Sequence, residues 1–229
     1  LGRNLVSAKP IDQGGNTLTD AQILELPPVR HVADVFVHPC AYKFWEANKK
    51  EKDAWDDTQT ASWVRASDVP SHVKPVDVVF VGHAKANTAG GVDKWKVRWP
   101  LNGTGFQEDV HFYGKTFAST PSAPDVRAWF AIAAGDLKLF GEPPTKADVR
   151  GAFLETEVCP VFGAVYARVP AAMLMAEMTL EEFHCERQRL LWLKESGPRA
   201  FKQARSEWRT CHHGWYLKMN SREAPLTSG

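Results

Sequence analysis

The chain has few cysteines, and they lie far apart in the sequence. Its four thiols, in 229 residues, include no Cys-x-x-Cys pair, so neither a disulfide framework nor a standard zinc finger is indicated. No signal peptide is visible in these residues, and no run of about eighteen apolar residues occurs, so the sequence predicts no membrane span. We therefore expect an intracellular protein, in the cytoplasm or the nucleus, with reduced thiols.

The sequence also lacks an excess of charge of either sign. Lys and Arg number 28 and Asp and Glu 27, for a formal net charge of +1, so any contact with nucleic acid would have to come from local clusters of cations. We find no Walker-type or dinucleotide-binding glycine loop and no Ser-His-Asp or Cys-His arrangement. The hydrophobic content of 44% is that of a globular protein with a core.

The clearest local pattern is a basic strand. In residues 94–99 every second residue is a cation, namely Lys94, Lys96 and Arg98, so a strand here places all three on one face and the apolar residues on the other. A solvated sheet face is the simple interpretation. Three neighbouring cations repel each other unless an anion lies between them, so a triphosphate or a nucleic-acid backbone is the alternative.

A second group of cations recurs at helical spacing. It consists of Arg199, Lys202, Arg205 and Arg209, with Lys194 shortly before them. Residues 198–210 are therefore predicted to form an amphipathic helix with one basic side. A solvated face and a surface that follows phosphates are both open interpretations.

One carboxylate is singled out by its position. Asp148 lies in a short predicted strand within residues 145–154, and Phe153 follows five positions later. An Asp between apolar residues is more often a strand-end cap or a salt-bridge partner than a metal ligand. For Phe153, together with Leu154, core packing is the alternative interpretation.

The remaining periodicities predict a mixed α+β chain. Helices are expected over 41–55, 121–134 and 171–193, and strands over 76–82 and 165–170. Residues 1–40 are expected to be a leader or linker with little structure. Because the chain begins at Leu1, we expect a fragment or a processed piece of a longer product.

Taken in order, these pieces resemble the fingers and early palm of copia-type reverse transcriptases, the enzymes of a class of long-terminal-repeat retrotransposons. The resemblance runs from residue 41 to residue 217. It is carried by residues 45–47, 60–64, 78–81, 90–98, 105–106, 113–118, 127–134, 148–154, 165–170, 190–194 and 198–201. It implies an incomplete right-hand polymerase fold, with a fingers-like subdomain over 41–125, a partial palm over 126–217 and a tail over 218–229.

The resemblance also implies roles for individual residues. Asp148 would be a catalytic ligand of Mg²⁺, in a site that uses two such ions. Val149 and Phe153 would bind the incoming nucleotide, with the Phe153 ring under its sugar, and Lys96 and Arg98 would hold its triphosphate. A primer–template of RNA or DNA would contact a further set of cations, namely Lys94, Lys194, Arg199, Lys202, Arg205 and Arg209.

The family's later metal-binding motif is missing from these residues. One Asp cannot hold two Mg²⁺ ions, and the 229 residues contain no Tyr/Phe-x-Asp-Asp sequence. We therefore expect a fragment of an RNA-directed DNA polymerase that is inactive alone. The alternative is a non-catalytic remnant that serves as a binding or structural subunit of a larger assembly.

Overall fold

The computed structural model of the chain describes residues 10–11, 15–105, 122–140, 164–208 and 214–220. Its helices are α1 (Asp20–Glu25), α2 (Val32–Phe36), α3 (Ala41–Asp57), α4 (Ala123–Phe140), α5 (Ala171–Glu177), α6 (Leu180–Ser196) and α7 (Pro198–Glu207). Its strands are β1 (Ala61–Arg65), β2 (Val81–Ala86), β3 (Val92–Arg98), β4 (Tyr166–Arg168) and β5 (Trp215–Met219). The chain is therefore of mixed α+β class, as the sequence predicts.

The strands form a three-stranded sheet and a hairpin. The sheet has the order β1-β5-β4 with antiparallel pairs throughout, and β2 and β3 form the antiparallel hairpin. Val76 adds a parallel bridge to Ala167. Segments from both predicted subdomains, 41–125 and 126–217, thus share one sheet.

Helix α3 forms the middle of the core. The predicted helix over 41–55 is confirmed, since α3 spans Ala41–Asp57 and contains neither Gly nor Pro. Its buried side is formed by Ala41, Phe44, Trp45, Ala47, Asn48 and Trp55. These side chains recur every three to four residues, which is the spacing of one helix face, and α3 packs against β3 and α5.

Asn48 is the only polar residue buried among the described residues, with none of its surface exposed. Its Nδ2 donates to the Ala172 carbonyl at 2.6 Å, and its Oδ1 accepts from the Trp99 indole Nε1 at 2.9 Å. Both ends of the amide are therefore satisfied. This side chain ties α3 to α5 on one side and to the end of β3 on the other.

The structure differs from the sequence expectation before residue 41. Thr19 and Gln22 form a capping box at the start of α1, with Thr19 Oγ1 accepting from Gln22 N at 3.3 Å and Gln22 Oε1 accepting from Thr19 N at 2.9 Å. Ile23, Val35 and Phe36 are buried in the core. Residues 20–36 are thus part of the fold rather than a leader, because their apolar side chains have a core to enter.

The predicted strand over 76–82 lies later in the chain than expected. Regular strand pairing begins at Val81. The backbone of the preceding residues forms hydrogen bonds to two different segments, β4 and residues 100–102. Arg168 N donates to Val76 O at 2.8 Å, whereas Val79 N donates to Pro100 O at 2.9 Å. The β-branched run therefore crosses between the sheet and the hairpin instead of forming one ladder.

Two helix boundaries also differ from the predictions. The segment 171–193 forms α5 and α6 with a break at Met178 and Thr179, where Thr179 and Glu182 make a capping box. Helix α4 continues through Gly135 to Phe140. One Gly in a helix interior costs only about 1 kcal/mol relative to Ala, which the rest of a helix can offset. None of the described helices is long and apolar enough to cross a membrane.

Arg187 on α6 fixes the corner between α2 and α3. Its guanidinium donates to the carbonyls of Phe36 and His38, so a cation satisfies backbone acceptors at the end of α2. Burial raises the pKa of the neighbouring Cys40 thiol to about 12. Cys40 is therefore a buried thiol without nucleophilic character.

We expect Asn48→Ala to destabilise the fold by about 2–4 kcal/mol, because it leaves the Trp99 N–H and the Ala172 carbonyl unpaired in the core. The measurement is the free energy of unfolding from urea titration. Lys50→Ala, an exposed change on the same helix, is the control and should shift it by less than about 0.5 kcal/mol. An Asn48→Ala variant as stable as the control would contradict this role.

Candidate nucleic-acid interface

The register of the β2–β3 hairpin separates its side chains into two faces. Val81 pairs with Arg98, His83 with Lys96 and Lys85 with Lys94. Directly paired residues lie on the same face, and neighbours along a strand lie on opposite faces. We call the face that carries His83, Lys85, Lys94, Lys96 and Arg98 the basic face.

The opposite face of the hairpin is held against α3. The Trp95 ring meets Phe44 edge-on at 5.2 Å between centroids, and Val97 is buried. A Cβ added at Gly82 would lie 3.0 Å from Phe44 Cδ1, so a larger residue would require the Phe44 ring to shift. Because the opposite face contacts α3 closely, the basic face points away from the core.

Lys94, Lys96 and Arg98 thus share one face, as the alternation predicts. The structure adds Lys85 and His83, which the sequence analysis missed because it ended the strand at residue 82. The signal was present, since small residues alternate with basic ones from Gly82 to Lys85.

The cations of the basic face influence the pKa values of two of its members, Lys96 and His83. Burial lowers the pKa of Lys96, and Arg98, Lys85 and Lys94 lower it further, while Glu51 acts in the opposite direction. Burial likewise lowers the pKa of His83, followed by Lys85, Lys96 and Arg98. Like charges held this close favour the binding of an anion between them.

Few carboxylates neutralise the basic face. Lys94 pairs with its neighbour Asp93 at 3.7 Å, and both side chains are largely exposed. Among the residues that the structure describes, no carboxylate forms an ion pair with Lys85, Lys96 or Arg98. None of the described carboxylates therefore engages these three cations.

Glu51 on α3 is a carboxylate whose charge acts on a cation of the basic face, Lys96. Its Oε1 accepts a hydrogen bond from Trp99 N at 3.3 Å, and Arg98 and Lys96 favour its ionised form. Burial is the larger influence and raises the pKa of the carboxyl. Glu51 thus opposes anion binding at the Arg98 end of the basic face.

The second predicted group of cations is only partly available. Arg199 and Lys202 on α7 and Lys194 on α6 are exposed. Arg205 instead makes a bidentate pair with Asp34 on α2, with Nε–Oδ1 at 3.0 Å and Nη2–Oδ2 at 2.8 Å. A phosphate at Arg205 would have to displace this carboxylate.

Several residues implied by the resemblance lie outside the described residues, namely Asp148, Val149, Phe153 and Arg209. Their roles stay predictions. Within the described ranges, no group of three or more His, Cys, Asp or Glu side chains could hold a metal ion.

In comparisons with known proteins, no family model, no curated protein and no solved structure matches this chain. The case for function therefore depends on the residues and geometry of the chain itself.

We expect Glu51→Gln to increase affinity for single-stranded DNA by about two- to fivefold, or roughly 0.4–1 kcal/mol, since it removes a negative charge near two cations. The Gln amide oxygen can still accept from Trp99 N. The measurement is fluorescence anisotropy at low salt and about pH 8, well above the ordinary range of carboxyl pKa values.

Asp53→Asn is the matched control for Glu51→Gln. It makes the same change of charge at an exposed site on the same helix, two residues and about 200° around the helix from Glu51. An equal gain in affinity from both variants would mean that net charge, and not the position of Glu51, sets binding.

Proposed function

We propose that this chain is a nucleic-acid-binding fragment derived from a copia-type reverse transcriptase, comprising fingers and part of a palm. Its partners are the phosphates of an RNA or DNA primer–template and of an incoming nucleotide. The observation that supports this best is the basic face of the β2–β3 hairpin. Its Lys85, Lys96 and Arg98 have no ion pair to a described carboxylate, and the opposite face of the hairpin packs against α3.

The chemistry of the basic face suits phosphate. Lys94 and Lys96 present ammonium groups, which bind phosphate oxygens as point charges, and the Arg98 guanidinium can donate two parallel hydrogen bonds to one phosphate. Contacts of this kind are independent of base sequence. The proposed role is therefore to bind and orient phosphates, with no chemical step assigned to the described residues.

Nucleotidyl transfer by these 229 residues alone is not part of the proposal. Their one Asp-Asp pair, Asp56–Asp57, lies at the end of α3, where Asp56 Oδ2 accepts from Lys52 Nζ at 2.6 Å. A carboxylate engaged there does not replace a polymerase metal ligand. If Mg²⁺ binds, the resemblance assigns Asp148 as its ligand and the ion would neutralise phosphate charge.

The same observation favours a second candidate function. A chain that binds phosphates without a complete metal site could act as a non-catalytic subunit of a larger assembly. Both candidates expect no primer extension by the purified chain with Mg²⁺, and they differ only in what happens when further metal ligands are supplied. Extension that appears when those ligands are added favours the polymerase fragment.

We expect the double variant Lys96→Ala/Arg98→Ala to bind single-stranded DNA more weakly and with less dependence on salt. Each phosphate contact on a single strand contributes about 0.7 to the slope of log affinity against log salt, so two lost contacts should reduce the slope by about 1.4. The measurement is anisotropy titration between about 50 and 200 mM salt.

Lys50→Ala/Arg127→Ala serves as the control, because it removes the same charges from exposed sites on α3 and α4. Its slope should match that of the unchanged protein. Binding that is indifferent to salt, or a control that loses as much affinity as the test variant, would contradict the proposed function.

A further inference from the structure

The hairpin carries a second row of basic side chains that the proposed roles do not use. Lys85 lies directly opposite Lys94, and His83 directly opposite Lys96. Side chains opposite each other in an antiparallel pair have Cβ atoms about 4.5–5.5 Å apart. The two rows therefore form one continuous surface.

This surface is longer than it is wide. Lys94 and Arg98 are four residues apart on β3, which is roughly 13 Å at about 3.3 Å per residue. Consecutive phosphates of a helical strand are separated by about 3.4 Å along the axis alone, so this length accommodates at most about four of them. The phosphates of a single triphosphate share bridging oxygens and cover only part of it.

Carboxylates lie at the margins of the surface. Helix α1 packs against both strands of the hairpin. Its Asp20 lies beside the hairpin turn, at one end of the surface, where Oδ2 accepts a hydrogen bond from Val92 N at 2.9 Å. Glu51 lies at the Arg98 end. The charged groups among the described residues that shift the pKa of His83 are all cations, whereas Glu51 also acts on Lys96 opposite it.

We propose that Lys85 and His83 form the second row of a two-row phosphate site, and that its ligand is the backbone of a polynucleotide strand rather than a single nucleoside triphosphate. This inference rests on the proposed function, because both use the basic face. Lys85 supplies a point charge to phosphates between the two strands, and His83 supplies a ring N–H donor beside Lys96.

His83 adds a dependence on pH to this site. Burial and the neighbouring cations hold its pKa below the usual 6.5, so the ring is neutral near neutral pH and gains its charge only as the pH falls. A bound phosphate favours the charged ring, so affinity should rise on acidification.

The charged groups on the elements around His83 are known. They are Lys85 on β2, Asp93, Lys94, Lys96 and Arg98 on β3, Asp20 and Glu25 on α1, and, among the charged residues of α3, Glu51, which acts on Lys96. Protonation of the carboxyls would also strengthen anion binding at low pH. A His83 variant is therefore needed to isolate the contribution of the ring.

The experiment measures binding of the full chain to a labelled single-stranded DNA of about twelve nucleotides, a length within the usual site sizes of single-strand binders. We expect Lys85→Ala to weaken binding several-fold and to lower the salt slope by about 0.7, as Lys96→Ala should. Lys50→Ala is the control and should leave both unchanged. Lys85→Gln repeats the test if the thermal midpoint of Lys85→Ala has fallen.

Two further measurements define the ligand and the role of His83. Thymidine triphosphate should displace the DNA at least about tenfold less well than unlabelled DNA at equal phosphate concentration, because it spans fewer cations. Binding by the unchanged protein should tighten between about pH 7.5 and 5.5, and His83→Gln should reduce that change.

The outcomes separate this inference from the proposed function. If Lys96→Ala/Arg98→Ala weakens binding but Lys85→Ala does not, or if His83→Gln keeps the full change with pH, the second row is wrong and the proposed function stands. Equal competition by the triphosphate, or by polyglutamate, would overturn the assignment to a polynucleotide backbone. If no salt-dependent binding to DNA occurs at all, both proposals fail.

Discussion

Helix α3 holds one face of the β2–β3 hairpin, and this contact decides which side chains of the hairpin reach solvent. The Phe44 ring packs against the Gly82 backbone and against the Trp95 ring. The Trp55 and Trp99 rings also pack together, with centroids 5.5 Å apart. A shift of either strand by one residue would bury cations and expose tryptophans, because side chains alternate between faces. The packing of the core therefore determines the position of every cation on the basic face.

The same helix connects the hairpin to the rest of the chain. Through the Asn48 amide it bonds to α5 and to the Trp99 indole, and α5 directly follows β4. The basic face is consequently carried by a rigid core rather than by a loop. This placement fixes the backbone position of each cation, so binding of a phosphate has to order only the side chains.

Local patterns in the sequence were sufficient for α3 and for the alternation in β3. The apolar spacing of α3 and the cations at Lys94, Lys96 and Arg98 both repeat over several residues, so a short window contains the whole signal. The amphipathic helix near residue 198 was predicted for the same reason, and Phe201, Ala204 and Trp208 do face the core.

Features that depend on distant partners could not be read in this way. Helix α2 is only five residues long, and it is held by Arg205 and Arg187 from elements about 150 or more residues later. Likewise, Lys85 lies on the basic face because it pairs with Lys94. The register between two strands cannot be read from the sequence of either strand alone. The partner that removes Arg205 from the predicted phosphate surface, Asp34, is equally distant in sequence.

The most direct test of this account is a titration of the ¹⁵N-labelled chain with single-stranded DNA, followed by amide chemical shifts. The account predicts that the largest changes fall on β2 and β3 and are reversed by added salt, because the contacts are to phosphates. Changes concentrated on α7, or spread evenly over the surface with none at the hairpin, would contradict the claim that the basic face binds nucleic acid.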